Sequence, residues 1–468
     1  MPYSTALREY IEGGGIEFVT TVEIVWPEQD EPGRYATADL AVPGVGNFEA
    51  RIKDIQEPTE GVTPRYAGVA VLETTVTLID DARRSIMRIL KGPADCRRAA
   101  ATVKWGSPGV PYADWYTVLA GILDRPAKFY GERLIDLVIR TDDRWLESPV
   151  LRLGIIPAEW EDLPADIGGT WMPVLFGIHD SRGLSDRGMV PTVKVASRGD
   201  SLRWDFISHG WLQSVPRVYV GSGDSFSLAP VGHFFVQRIY RNGNYMTIIV
   251  WAGTREVTPA ADQEVRVDCS GLTLDGTIPT IAEVAADPEA NLAYNPVAQL
   301  RLWLRLYARN LWKYGAYPAE VGIHSASWDA AEEYAERNLL RGAFRVGGTK
   351  EQRTALDVVT EWLGNWTMFR PYWTAQGELA MGVIDTAAWP GYGTGSYFNL
   401  IRDEDRSVLS RPVFESDPEG ILNRISAVHL FDLAENKSWG TLEAQDLTQD
   451  EDHAHDMRLT MGPSSREN

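Results

Sequence analysis

The stretch Val69-Ala70-Val71-Leu72-Glu73-Thr74-Thr75-Val76-Thr77-Leu78-Ile79, closed by Asp80-Asp81, decides the fold class. β-Branched residues fill it, and two turn-forming aspartates stop it. Apolar and polar side chains alternate toward its end, as on a strand with one buried face. The same pattern recurs on both sides. Val19-Thr20-Thr21-Val22-Glu23-Ile24-Val25-Trp26 is β-branched and bounded by Pro27. Ala101 to Trp105, Asp114 to Asp124 and Glu132 to Arg140 follow, the last in clean alternation. Short strands separated by turn residues predict a β-barrel or sandwich over residues 1–150.

Residues 151–290 continue with a connector ending Trp171-Met172-Pro173-Val174-Leu175-Phe176-Gly177, then a small β module from about 190 to 280. Arg217 to Gly221 and Tyr245 to Trp251 are strands of that module, and Arg241-Asn242-Gly243-Asn244 is a turn between strands. Near residue 290 the period changes. Asn295-Pro296 supplies an N-cap and a proline at the first helical position. Val297, Leu300, Leu304, Tyr307 and Leu311 then recur at helical spacing. A second helix is predicted from about Trp328 to Leu340, with Trp328, Ala331, Tyr334, Ala335 and Leu339 on one face. Thr349-Lys350-Glu351-Gln352 has the form of a capping box opening a third helix through Leu356, Val359, Trp362 and Leu363. These helical residues occupy 291–365. A hairpin follows, Met368 to Thr374 and Glu378 to Asp385 about a turn at Ala375-Gln376-Gly377, and Ile421 to Phe431 is another strand in the 366–435 segment. Residues 436–468 form a polar C-terminal tail.

The chain has 468 residues, 45 Lys+Arg against 65 Asp+Glu, and a formal net charge of -20. Nonspecific nucleic-acid binding needs a basic face to neutralise phosphates, so this balance argues against it. No apolar run approaches the ~20 residues of a membrane span. Met1 to Tyr10 lacks the basic-then-apolar pattern of a secretory leader, so the expected site of synthesis and assembly is a cytoplasm. Cys96 and Cys269 are too far apart in sequence for a paired metal motif and read as small buried apolar residues, with a long-range disulfide as the other reading. Seventeen Trp with 18 Tyr and 13 Phe fit either extensive interfaces or large β cores.

There is no nucleophile elbow, HExxH, Walker A loop or dinucleotide fingerprint. Gly13-Gly14-Gly15 lacks the lysine and the strand–helix context of a phosphate cradle and reads as a turn. Asp450-Glu451-Asp452-His453-Ala454-His455-Asp456 mixes two histidines with carboxylates, but a charge run in a polar tail reads as solvated. Asp80-Asp81 and Glu332-Glu333 are sequence neighbours whose side chains diverge on a strand or helix, so they make poor acid–base pairs. The expectation is no enzyme, no cofactor and no metal.

Val321-Gly322-Ile323-His324-Ser325-Ala326-Ser327-Trp328-Asp329-Ala330-Ala331-Glu332-Glu333-Tyr334-Ala335 leads into Gly342-Ala343-Phe344-Arg345-Val346. The helix ending Val359-Thr360-Glu361-Trp362-Leu363 comes next, then Gly377-Glu378-Leu379-Ala380-Met381-Gly382-Val383-Ile384-Asp385. This order resembles the central hub proteins of bacteriophage tail tips and baseplates, including the hub region of tip attachment proteins. Three other places are similar to that family. Ile167 to Gly177 looks like its Gly-x-x-x-Pro-Val-x-x-Gly connector, Trp115 to Asp124 like a strand of its first barrel, and Asn423-Arg424-Ile425 like the strand closing its second.

The resemblance implies a mainly β, α+β fold: two tail-tube-like β-barrel domains, an inserted small β module, and a helical segment packed on the second barrel. It implies a homotrimer that adapts a sixfold tail tube to a threefold tip and takes part in closing or conducting the DNA channel. The implied partners are tail tube and distal tail proteins, tip fibre or central spike proteins, and phage DNA passing without specific binding. The implied location is the virion tail tip. Trp328, Tyr334 and Trp362 are the expected anchors of the helices, and Pro173 and Gly177 the anchors of the connector. The acidic balance suits a lumen that does not trap phosphates, though generic solubility explains it equally. The competing readings are a tail-associated carbohydrate-binding or wall-degrading glycan-active protein, motivated by the Trp content and the β module, and a distal adaptor ring.

Overall fold

The computed structural model describes residues 4–383 apart from internal gaps, together with strands 424–432 and 437–445; the longest stretches outside the description are 61–71, 148–166, 181–188, 309–316, 384–423 and 446–468. The protein is mainly β, with several sheets, one of them a half-barrel. It divides into two compact units, each built from segments distant in sequence.

The first unit joins residues 1–149 to 319–334 and 354–383. Its main sheet runs Leu40–Val42, Gly46–Ala50, Gly33–Ala36, Val19–Ile24, Ala100–Gly106, Tyr116–Leu123, Leu134–Arg140, Leu72–Ile79, Ile52–Ile55. Alternation drives it: Ile135, Leu137 and Ile139 point inward with Val76 and Leu78 on the neighbouring strand. Val22, Ile24, Val103 and Leu119 complete that core.

The curl has an identifiable cause. Gly46–Ala50 pairs with Gly33–Ala36 near one end of the sheet, and Ile52–Ile55 pairs with Leu72–Ile79 at the other. Between them Arg51 donates its N–H to the Ala36 carbonyl (3.0 Å) and accepts from the Ile79 N–H (2.7 Å). One bent segment thus serves both ends. Helix Thr5–Glu12, N-capped by Ser4, packs Leu7 in a second apolar cluster with Val19, Phe48, Val110 and Trp115.

Hairpin Phe369–Trp373/Leu379–Val383 belongs to this unit as well. Its turn hydrogen-bonds the main sheet, the Ala120 N–H donating to the Ala375 carbonyl at 2.6 Å. The compact units therefore cut across the linear segments 291–365 and 366–435.

The second unit contains two sheets over one core. The first has the order Ile178–His179, Glu264–Leu272, Leu212–Ser222, Ser225–Leu228, with Val190–Pro191 also on Glu264–Leu272. The second has the order Val193–Ser197, Arg203–His209, Asn244–Trp251, Phe234–Arg241. Ile207, Val218, Ile249, Trp251, Val265 and Val267 fill the space between them. Helix Pro296–Trp303, capped by Asn295, runs into a π turn over Leu304–Ala308. Strands Arg424–Asp432 and Lys437–Gln445 form a hairpin.

Of the two barrels expected, the described residues form one half-barrel, and 384–423, within the segment expected to hold the second, lie outside them. Two other expectations are corrected. The third helix is Ala355–Asn365, capped reciprocally by Thr354 and Asp357, five residues after Thr349. Thr354-Ala355-Leu356-Asp357 has the same reciprocal geometry with an aspartate in the third position, while Gly347 and Gly348 hold the chain ahead of Thr349 in left-handed turns. The second helix is Ser325–Arg337, so Leu339 is not on its buried face: it has φ 54° and is 74% exposed.

Candidate functional site

Pro173 and Gly177 bracket a three-residue strand, Val174–Phe176, that pairs antiparallel with Phe344–Val346. Residues from the connector and from the helix-following strand thereby become neighbours. The pairing continues past the Val174/Val346 end of the strand. Gly348 N–H donates to the Trp171 carbonyl and Trp171 N–H to the Thr349 carbonyl, each at 2.8 Å. Pro173 is buried, has no N–H to satisfy, and uses its carbonyl to accept from His209 N–H at 2.7 Å.

Gly177 adopts φ 75°, open to glycine at little cost. A Cβ there would lie 2.0 Å from the Gly342 carbonyl oxygen and 3.0 Å from Gln299 Nε2. The same Gln299 amide donates to the carbonyls of Ala293 and Gly342, tying the helix start to the strand pair. Gly177 also accepts from Gly271 N–H at 2.8 Å, which joins the connector to strand Glu264–Leu272.

Trp328, Tyr334 and Trp362 converge on the hairpin 369–383 of the first unit. Trp328 is fully buried and its Nε1–H donates to the Leu379 carbonyl at 3.0 Å. Ser327 Oγ, one residue earlier, accepts from Met381 N–H at 3.1 Å. Trp362 is fully buried with its ring 5.7 Å from that of Phe369. Tyr334 is half-buried and meets the same Phe369 edge-on at 6.2 Å. Short segment 322–324 adds itself to the hairpin edge, His324 N–H donating to Leu379 and Leu379 N–H to Gly322.

The charged groups in these regions are held in structural positions. His179 sits beneath the connector with Nε2 3.1 Å from the Phe176 carbonyl, so that nitrogen carries the hydrogen. Burial first, and then the nearby Arg345 charge, push its pKa down to about 4. Burial also pushes the Cys269 thiol well up, away from reactive thiolate. Both cysteines are buried and neither forms a disulfide. Asp205, fully buried, takes two guanidinium nitrogens of Arg203 and the Trp251 indole N–H at 2.7 Å. Asp80 caps helix Ile86–Leu90 through Ile86 N–H and Ser85 Oγ, while Asp81 lies 3.7 Å from Arg51. The adjacent aspartates thus serve a turn and an ion pair. The Asp450–Asp456 cluster lies outside the described residues. Among the described residues no group of three His, Cys, Asp or Glu is placed to hold a metal, and no helix is long and apolar enough to cross a membrane.

Of the thirteen tryptophans whose burial is described, seven are buried and six are partly buried. Among those whose burial is described none is exposed, and Trp251, Trp303, Trp328 and Trp362 are fully buried. Surface aromatics are instead Phe129, Tyr130, Phe235 and Tyr240. Sequence reading missed the partners of the anchors, namely Gly342, Gln299, Phe369 and Leu379. Gly342 and Phe369 lie within or beside the quoted motifs, and that proximity was the available signal. Nothing around Gln299 marked it, because a glutamine at a helical position reads as surface. No protein-family model matches the chain, and no curated protein matches it.

Proposed function

We propose that this protein is a structural hub of a bacteriophage tail tip or baseplate. In this reading three copies form a ring that adapts a sixfold tail tube to a threefold tip and takes part in closing or conducting the DNA channel. The carrying observation is the assembly of the motif residues. The connector strand 174–176 pairs with 344–346, more than 160 positions later, with Gly177 against Gly342. A sequence order that resembles the hub family is accompanied by direct packing between its parts, as a real structural motif requires. The helices and hairpin 369–383 likewise share Trp328, Tyr334 and Trp362 with Phe369 and Leu379. In the finer form of the proposal the first unit's half-barrel and the strands after 366 are the two tail-tube-like barrels of each copy.

The charge of -20 agrees with a lumen that lets DNA pass without binding it. Partners in this reading are tail tube and distal tail proteins and a tip fibre or central spike. The roles found for the conspicuous carboxylates are caps and ion pairs, which supports an assembly role over a hydrolytic one. The glycan-active reading is weakened, since none of the tryptophans whose burial is described is exposed as a sugar platform would be.

Electron microscopy of the purified protein mixed with its tail-tube protein tests this. Rings with threefold or pseudo-sixfold symmetry stacked on tube ends are expected. Tubes that terminate bare, with the protein dispersed as single particles, would overturn the proposal.

A further inference from the structure

Arg345 is an enclosed cation without a counter-charge. Among the described residues it makes no hydrogen bond and no ion pair, and its Nε is buried without a partner. Other arginines set into the surface are matched by acceptors. Arg51 lies against Glu49 and Asp81, Arg140 against Asp124 and Asp143, Arg203 against Asp205, and Arg266 against Glu264. Arg238 donates to the Leu212 and Gln213 carbonyls.

The strand pair described above fixes where Arg345 sits. It lies directly opposite Leu175, and opposed residues of an antiparallel pair share a face. Leu175 is fully buried in the same apolar cluster as Val267 and Cys269, so the arginine stem starts from the core side of the second unit. Its head group lies against the glycine turn. A Cβ on Gly348 would collide with Nη2 and stand 3.1 Å from Cζ and 3.3 Å from Nε. Gly348 also has φ 86°, a second reason for glycine there. The charge is felt nearby: after burial itself, it is what keeps the His179 pKa down. Burial pulls the guanidinium's own pKa below its ordinary value, offset in part by the Cys269 thiol. Asp268, the carboxylate beside Cys269 in the chain, is already committed. It accepts the Tyr219 hydroxyl at 2.9 Å and lies 3.7 Å from Arg217.

A guanidinium removed from water loses hydration that a counter-ion and its hydrogen bonds restore, and it does not escape by losing its proton. Part of the Arg345 surface stays exposed, so a small ion reaches it without unfolding. We propose that Arg345, seated on Gly348, binds an oxyanion, a carboxylate or phosphate group, that supplies the missing counter-charge. The planar guanidinium matches two oxygens of either group. Free inorganic phosphate can deliver the oxyanion, and so can an Asp or Glu side chain of another protein chain. The inference does not depend on the hub reading.

Isothermal titration calorimetry of the full chain at neutral pH and constant ionic strength tests it, with inorganic phosphate in one series and sodium acetate in another. One saturable site per chain is expected for at least one of the two anions. Its affinity should fall at least about tenfold in Arg345→Met, which keeps the stem and removes the charge. Tighter phosphate assigns the site to a free anion, and tighter acetate to a carboxylate side chain. If Arg345→Met does not fold, Arg345→Lys, which keeps the charge and loses the fork, should weaken binding by a smaller factor. No saturable heat with either anion, or an affinity that the substitution leaves unchanged, overturns the proposal.

Discussion

Gly177 and Gly342 approach so closely that a Cβ on the first would stand 2.0 Å from the carbonyl oxygen of the second. Only a residue without a side chain fits, and its φ of 75° adds a second demand for glycine. The contact fixes the connector against the strand that follows the second helix. Replacing Gly177 with alanine should cost at least about 3 kcal/mol, from the left-handed backbone and the displaced carbonyl together. Gly169→Ala is the control: φ is 79° but nothing lies within 4 Å of its Cβ, so about 1 kcal/mol is expected. Denaturant unfolding of both variants checks the pair, and equal costs would contradict the close approach.

Trp328 fills the space behind the hairpin and donates its indole N–H to Leu379. Trp328→Ala should destabilise the protein by about 3–5 kcal/mol. Trp328→Phe keeps most of the ring and loses the hydrogen bond, so about 1–2 kcal/mol is expected. An alanine variant indistinguishable from the parent in urea would remove Trp328 from the core.

Stability should fall in mild acid through His179. Its folded pKa of about 4 lies below the ordinary 6.5. Between those values the unfolded chain binds a proton that the folded chain refuses, so stability decreases as pH drops from 6.5 to 4 and is level below. The full loss is about 3 kcal/mol. Unfolding curves at several pH values for the parent and His179→Gln check it. The variant should lack this part of the slope, and parallel slopes would contradict the assignment.

Both cysteines should resist a thiol reagent in the folded protein and react on unfolding. Cys269 is 1% exposed with its thiol pushed up by burial, and Cys96 is 7% exposed. Colorimetric titration with and without denaturant measures this; one rapidly reacting native thiol would contradict the burial.

The β character was legible because alternation in Leu72–Ile79 and Leu134–Arg140 is local information, and the buried faces follow it residue by residue. Helix starts were legible where the cap is unambiguous, as at Asn295-Pro296. Thr349 was misread because two threonines five residues apart both precede acidic residues, and the bond that holds Thr349 outside the helix, its carbonyl accepting from Trp171 N–H, is a tertiary feature. Leu339 was misread because helical spacing does not say where a helix stops. The joining of 319–334 and 354–383 to the N-terminal sheet rests on long-range bonds such as Ala120 to Ala375, which no local pattern encodes. Motif order named the five anchor residues but not the residues they pack against. The tryptophan count fitted interfaces and β cores equally, because composition carries no information about which side of a surface a residue occupies; the described rings are buried or partly buried.

The central claim is a threefold hub, and absolute mass measures it most directly. Native mass spectrometry or light scattering of the purified chain, alone and with tail-tube protein, should give a trimer, either outright or once the tube is present. A monomer that stays monomeric beside tube protein, and binds or cleaves polysaccharide, would contradict the hub and favour the glycan-active reading.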